Sequence, residues 1–433
     1  MQPDARPRPE AYTVDGVTPS RVERPANVDE LCRVLKDAYG AGEASIVWGG
    51  GTRIHVGNIP QRYDLAVDLT ALDRVVEHEP GDLTAVVEAG MTLAALGSHI
   101  GANGLRLPVD PPRPDAATVG GTIASNATGP LRTGFGSVRE MILGMKVVQP
   151  DGVVTKSGGR VVKNVQGYDL HRLHVGAIGT LGVIAEVAFK LVPFPAGTRT
   201  VAAWFDDVEG AAAAAMQVVN GPFLPEALSI YSGPVAAGLI RGLAPRGSGG
   251  ATHLLLSRLA GATATLRRQT DEVTGAVGTA GALGCEVLGS DDAGPVWDCA
   301  AGGQDGACVV ARATLKPRDA FEYLAALEKA YARTGPLTLG GTVHAGFGTV
   351  VVDWAFADGD SPDEAAARAT VEAAYTEARS RAAVAVIERC PLPIKRTLDV
   401  YGTLGPELDV MRRLKVQFDP GRNLSPGRFA GRI

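Results

Sequence analysis

Cysteine is scarce and unpaired in pattern. The five residues, Cys32, Cys285, Cys299, Cys308 and Cys390, are odd in number and no two stand at CxxC spacing. That argues against a disulfide framework and against a zinc or iron–sulfur site held by this chain alone, and it fits a reducing cytosol. Excess positive charge is missing too: 42 Lys and Arg face 47 Asp and Glu, for a formal net charge of −5. Such a balance gives no general attraction to nucleic acid or anionic lipid. No apolar run is long enough to span a bilayer. The opening MQPDARPRPEAY lacks the apolar core of a signal peptide. Any membrane attachment is therefore expected through a partner, without direct insertion. Also absent are a GxGxxG after a strand and a GxxxxGK[ST], so neither a Rossmann dinucleotide site nor a P-loop is supported.

Glycine, by contrast, is abundant, with 55 residues. The stretch Pro108–Glu140, PVDPPRPDAATVGGTIASNATGPLRTGFGSVRE, is rich in Gly, Ala, Ser and Thr and poor in large apolar side chains. Pro111, Pro112 and Pro114 stiffen its entrance. Gly120, Gly121, Gly129, Gly134 and Gly136 let main chain come close to a ligand or take positive φ. Thr118, Thr122, Ser125, Asn126 and Thr128 offer short hydrogen-bonding groups. A segment of this length inside a compact domain is uncommon unless functional. It reads as a backbone-built cradle for a large anionic cofactor; the plain alternative is a mobile Gly/Ala loop. A second motif is the strand Ser45–Trp48 running into Gly49-Gly50-Gly51-Thr52-Arg53. Free N–H groups there suit a phosphate, although a simple tight turn would look the same.

At 433 residues the chain exceeds one typical core. The pattern suggests an arm at 1–19, a first domain at 20–197, a second at 198–400 and a C-terminal helix and tail at 401–433. In the first domain Asn27 with Glu30 marks a helix start, Thr92 another, and Pro150-Asp151-Gly152 a hairpin. Strands are expected at 45–48, 65–69, 84–88, 142–149, 153–156 and 183–191. In the second, strands at 200–205, 253–256, 308–313 and 349–355 alternate with helices at 208–219, 263–276, 318–332 and 362–381. That alternation suggests an α+β sheet with helices on one face.

The ordered series VWGGGTR, GLRLP, PPRPDAATVGGTIASNATGPLRTGFGSVRE, VQPDG and GAIGTLGVIAEV resembles the FAD-binding domain of the vanillyl-alcohol oxidase (PCMH) type across about residues 20–195. The tail FDPGRNLSPGR resembles the FDP…NPGR ending of 2-hydroxy-acid dehydrogenases in that superfamily, with Ser425 where Asn is usual. GTVHAGFGTVVV and LDVYG are similar to segments of the FAD-binding (E-type) subunits of glycolate oxidase. The resemblance implies a two-lobed FAD-binding domain, a ferredoxin-like α+β cap domain, and a tail that returns to the FAD domain. It also implies a complex with a second flavin subunit and an iron–sulfur subunit, acting on a small 2-hydroxy acid. Carried over by motif, Gly49, Gly50, Gly51, Thr52 and Arg53 match the first pyrophosphate loop. Asp115, Thr118, Val119, Gly120, Gly121, Ser125, Asn126 and Gly129 match the second FAD segment, and Arg132, Gly134 and Ser137 its continuation. Gly179, Gly182, Val183 and Ile184 match the turn and strand beside the adenine and ribose.

Relatives with covalent FAD carry a His close after the glycines. Thr52 and Arg53 hold that place here and His55 lies further on, so the FAD is expected to be non-covalent. Metal-dependent relatives carry HxGDGNxH. The stretch His344-Ala345-Gly346-Phe347-Gly348-Thr349-Val350-Val351 replaces the Asp, the Asn and the second His, and one imidazole is too few ligands for a metal. His344 is the candidate base for a substrate hydroxyl, or else a structural histidine. Lys395 and Arg396, with Arg389, are candidates to hold a carboxylate, or else a solvated patch. His78, His99, His171, His174 and His253 read as structural. The expected function is a flavoprotein subunit of a glycolate or D-lactate dehydrogenase complex. The alternatives are a stand-alone flavin alcohol or sugar oxidase and a non-catalytic electron relay.

Overall fold

A computed structural model describes residues 8–159, 168–244, 247–301, 306–331, 337–356, 364–381 and 383–433. It divides into two compact units, one from 1–128, 137–194 and 399–433, the other from 129–136 and 195–398.

The first unit holds two principal sheets. In the smaller, β1 (Arg21–Glu23), β2 (Ser45–Trp48) and β3 (Leu65–Asp68) run parallel in the order β1-β3-β2. Parallel strands need crossover connections, and the helix Val28–Gly40 carries the chain from β1 to β2, on either side of β3. Asn27 Oδ1 accepts from the Glu30 N–H at 2.9 Å while Glu30 accepts from the Ala26 N–H, closing a reciprocal cap. Leu31, Leu35 and Ala38 are its buried stripe. The expected N-terminal arm is not loose where it is described. Tyr12 donates to Asp68 at 2.7 Å, lies edge-on against Trp48, and Val14 is buried.

The larger sheet comprises β4 (Val75–Glu79), β5 (Thr84–Glu88), β7 (Ile142–Val148), β8 (Val154–Gly158) and β9 (Val183–Lys190), antiparallel in the order β4-β5-β9-β7-β8. A separate two-stranded ribbon joins β6 (Leu105–Arg106) to β10 (Val192–Pro193). The central β9 is buried along nearly its whole length. At the β7–β8 turn Gly152 takes φ +83° and Asp151 accepts from the Val153 N–H, as the Pro-Asp-Gly signal predicts.

The tail packs on the same unit. After the helix Glu407–Phe418, Leu424 runs parallel beside Ser45: the Ser45 N–H donates to Asn423 O at 2.6 Å and the Ser425 N–H to Ser45 O at 2.8 Å. A buried ion pair holds this turn. Lys415 donates to Asp419 at 2.7 Å, to Thr180 O at 2.9 Å and to Leu424 O at 2.7 Å. Asp419 also accepts from the N–H groups of Asn423 and Leu424.

The second unit is one antiparallel sheet of eight strands. These are β11 (Thr198–Phe205), β12 (Ala227–Ser232), β13 (His253–Ala260), β14 (Gly284–Leu288), β15 (Val309–Thr314), β16 (Leu337–His344), β17 (Thr349–Phe356) and β18 (Val384–Arg389). Their order, β14-β11-β13-β12-β16-β17-β15-β18, is two ferredoxin-like motifs fused edge to edge along β12 and β16. Each motif places its strands in the order fourth, first, third, second, so the ferredoxin-like expectation holds twice. The expectation of helices on one face needs correction. Phe205 lies against the helix Val208–Asn220, yet Ala202, Trp204, Leu254 and Leu256 pack on the other face with the helices Gly233–Leu243 and Ser290–Ala301. The first of these carries three glycines and the second Pro295, which hides both from helix propensity. The ends of the expected helices at 332 and 362–363 lie outside the described residues. Among the described residues no helix is long and apolar enough to cross a membrane.

Candidate cofactor-binding site

In the first unit, β2 delivers its chain end to Gly49, Gly50 and Gly51. Only Gly51 needs glycine for its own backbone, at φ +69°. The other two are glycine because main chain packs against main chain. A Cβ on Gly50 would lie 1.6 Å from Ala116 O, and one on Gly49 2.1 Å from Thr118 Oγ1. The stretch Pro108–Glu140 is partly helical rather than one long loop. Thr118 caps the helix Val119–Ser125 by accepting from the Gly121 N–H at 3.2 Å. Gly120 fits because a Cβ there would come within 2.9 Å of Ala89 Cβ.

A third wall comes from the segment before β9. The N–H groups of Gly176 and Ile178 donate to Ile123 O and Ala124 O at 2.9 and 2.8 Å, tying it to the helix Val119–Ser125. Gly179 sits at φ +73°. The three walls enclose a cleft lined by Gly49, Gly50, Gly51, Thr52, Arg53, Thr118, Gly120, Gly121, Ser125, Gly179, Gly182, Val183 and Ile184. Asp115, Val119, Asn126 and Ser137 do not line it. Val119 is core, Asn126 closes the helix in left-handed conformation at φ +47°, and Ser137 donates to Glu140. Gly129, Arg132 and Gly134 belong to the second unit.

Lining residues not expected from the sequence include Ile46, Val47, Trp48, Ile54, Val56, His174, Ala177, Ile178 and Arg428. His174 was read as structural. Burial, with His171 next, pushes its pKa down to about 4, so it is neutral at pH 7. Arg428 is 3% exposed, and its Nη2 donates to Ile54 O and Val56 O. Burial lowers its pKa, opposed by Asp15, Tyr401 and Tyr63. A signal for it lay in the tail motif itself, whose Arg follows the Pro-Gly pair.

The cleft thus offers main-chain N–H groups, short hydroxyls, a buried guanidinium and an apolar wall of Ile46, Val47, Trp48, Val183 and Ile184. Phosphate oxygens suit the first three and planar rings the last. The residues fit FAD. When bound, FAD supplies two-electron redox chemistry, and the protein contributes binding, orientation and electrostatics.

A cleft so built suits a flavin dinucleotide, and residues 19–158 match the FAD binding domain family. That match makes FAD the cofactor of this part of the chain. Among sequence relatives, glycolate oxidase subunit GlcD of Bacillus subtilis (strain 168) is 31% identical over 216 residues, 50% of this chain and 46% of that one. Glycolate oxidase subunit GlcE of Escherichia coli (strain K12) is 38% identical over 122 residues, 28% of this chain and 35% of that one. The match thus spans less than half the length of these curated relatives. Among solved structures, alkyldihydroxyacetonephosphate synthase superposes with a TM-score of 0.71, covering 94% of this chain and 77% of that one at 16% identity. At that identity the likeness is one of fold.

In the second unit His344 ends β16 opposite Ser229 of β12, on the seam between the two motifs. Its Nδ1 and Ser229 Oγ lie 2.9 Å apart, and its ring stacks on Phe347 at 5.3 Å and 14°. The Arg132 guanidinium lies 4.6 Å from the Phe347 ring centre. Burial first, and Arg132 second, push the His344 pKa down to about 4. Lys395 and Arg396 are not brought together: on the helix Leu392–Thr397, Lys395 is 2% exposed and Arg396 faces solvent. Successive helix positions diverge by about 100°, so the expected paired clamp does not form. Among the described residues no group of three or more His, Cys, Asp or Glu is placed to hold a metal.

Proposed function

We propose that this chain is a flavoprotein subunit of a 2-hydroxy-acid dehydrogenase of the glycolate or D-lactate type, holding FAD non-covalently and using no metal. The observation that carries the reading is the convergence of three glycine-bearing segments on one cleft. Similarity to two glycolate oxidase subunits supports the substrate class. Oxidation of such a substrate removes two electrons and two protons and leaves a 2-oxo acid. Neutral His344 is proposed to accept the hydroxyl proton. Arg132, in place of Lys395 and Arg396, is proposed to pair with the carboxylate. A second flavin subunit and an iron–sulfur subunit are proposed to take the electrons onward.

Electron relay without substrate oxidation is a second reading, favoured by the low basicity of His344. A base with a pKa near 4 drives proton abstraction weakly at pH 7. Anaerobic mixing of purified chain with glycolate and with D-lactate separates the two. Bleaching of the flavin band supports dehydrogenation. FAD that stays oxidised with every 2-hydroxy acid, yet is reduced by dithionite, leaves the relay. Acid precipitation is expected to release the FAD into the supernatant; yellow colour kept by the pellet contradicts non-covalent binding.

A further inference from the structure

The C-terminal tail ends its path in the cofactor cleft with a buried guanidinium nitrogen that has no hydrogen-bond partner. Arg428 is 3% exposed, and its Nη2 is spent on two main-chain carbonyls, Ile54 O and Val56 O. Its Nη1 is buried and has no hydrogen-bond partner. No carboxylate lies within ion-pair distance of it among the described residues. A buried guanidinium in that condition is unfavourable, because Asp15, Tyr401 and Tyr63 oppose the cost of its burial without giving Nη1 a hydrogen bond. The backbone around it is fixed. The Arg428 N–H donates to Ser425 O at 3.2 Å, and its carbonyl accepts from the Asn58 N–H at 2.8 Å. Upstream, the Lys415–Asp419 pair and the Leu424–Ser45 bridge clamp the tail to the strand that feeds the glycine loop. The side chain is held open toward the cleft it lines.

We propose that Arg428 completes the cofactor site by placing its free Nη1 on a negatively charged atom of FAD, and that FAD binding and docking of the tail are thereby linked. The inference rests on FAD occupying this cleft, not on the 2-hydroxy-acid chemistry. FAD offers two such charges: the pyrophosphate, present always, and the flavin ring, which becomes anionic on reduction. Whichever meets the guanidinium, linkage requires that what stabilises the docked tail also tightens FAD. A Lys would keep the charge but lose the fork that spans two carbonyls and an anion together.

The test uses the full chain stripped of flavin, with Trp48 fluorescence reporting titrations of FAD and of ADP. Arg428→Met is expected to weaken FAD at least tenfold, and Arg428→Lys less. Equal weakening of ADP assigns the pyrophosphate. Unchanged ADP affinity with a lowered flavin midpoint potential assigns the ring. Wild type that binds FAD while Arg428→Met matches it in affinity and potential overturns the role of Arg428. Wild type that binds no FAD overturns the cofactor reading beneath it. Should Arg428→Met not fold, limited trypsin cleavage of wild type at exposed Arg422 decides: slower cleavage with FAD supports the linkage, and equal cleavage overturns it.

Discussion

The two units put their candidate chemistry in different materials. In the first, the site is main chain: loops approach until Gly50 and Ala116 leave no room for a Cβ, and hydroxyls and one arginine decorate the result. In the second it is side chain: His344 stacks on Phe347, and the Arg132 guanidinium lies over the same ring. A backbone site announces itself, because each close approach demands glycine at a fixed place. A side-chain site depends on which residues the fold brings together, and adjacency in sequence misleads, as Lys395 and Arg396 do.

Breaking the first unit's main-chain packing is expected to have the largest effect. Gly50→Val forces a side chain into Ala116 O and should abolish FAD retention on gel filtration, with destabilisation above about 4 kcal/mol. Gly121→Ala is the sharpening control. Its Cβ meets only Thr118 Oγ1 at 3.0 Å, so it should keep its fold; equal damage from both would sink the packing argument. Next is the tail clamp. Lys415→Met leaves Asp419, 0% exposed, without its cation, and should cost about 3–5 kcal/mol in urea unfolding.

The smallest effect joins the two units through pH. His174 in one and His344 in the other each have a folded pKa near 4 against an unfolded value of 6.5. Between these values the unfolded chain binds more protons. The stability is therefore fully present above pH 6.5 and is lost as pH falls toward 4, by up to roughly 3 kcal/mol for each histidine. His174→Gln and His344→Gln should each flatten the slope of stability against pH in that window. A slope unchanged in both would show that neither imidazole is held neutral.

Much of the first unit was legible in sequence because its signals are local. Asn27 with Glu30, Thr92, and Pro-Asp-Gly at 150–152 each act within a few residues, and the structure uses all of them. The role of Arg428 was hidden, since it depends on a tail that returns across hundreds of residues to Ile54 and Val56. β4 carries little signal in sequence, because its five residues, VVEHE, are only partly buried and alternate weakly. In the second unit the βαβ alternation was visible but its duplication was not. Pairing of β12 with β16 spans more than a hundred residues, and no motif marks it.

That pairing bears on how the second unit is made. Cut between Leu288 and Val309, either half would present a bare strand, β12 or β16, with its row of amides and carbonyls unsatisfied. Each fragment would then be drawn to copies of itself. In the intact chain the two halves act as each other's chaperone, shielding the edge that neither can protect alone.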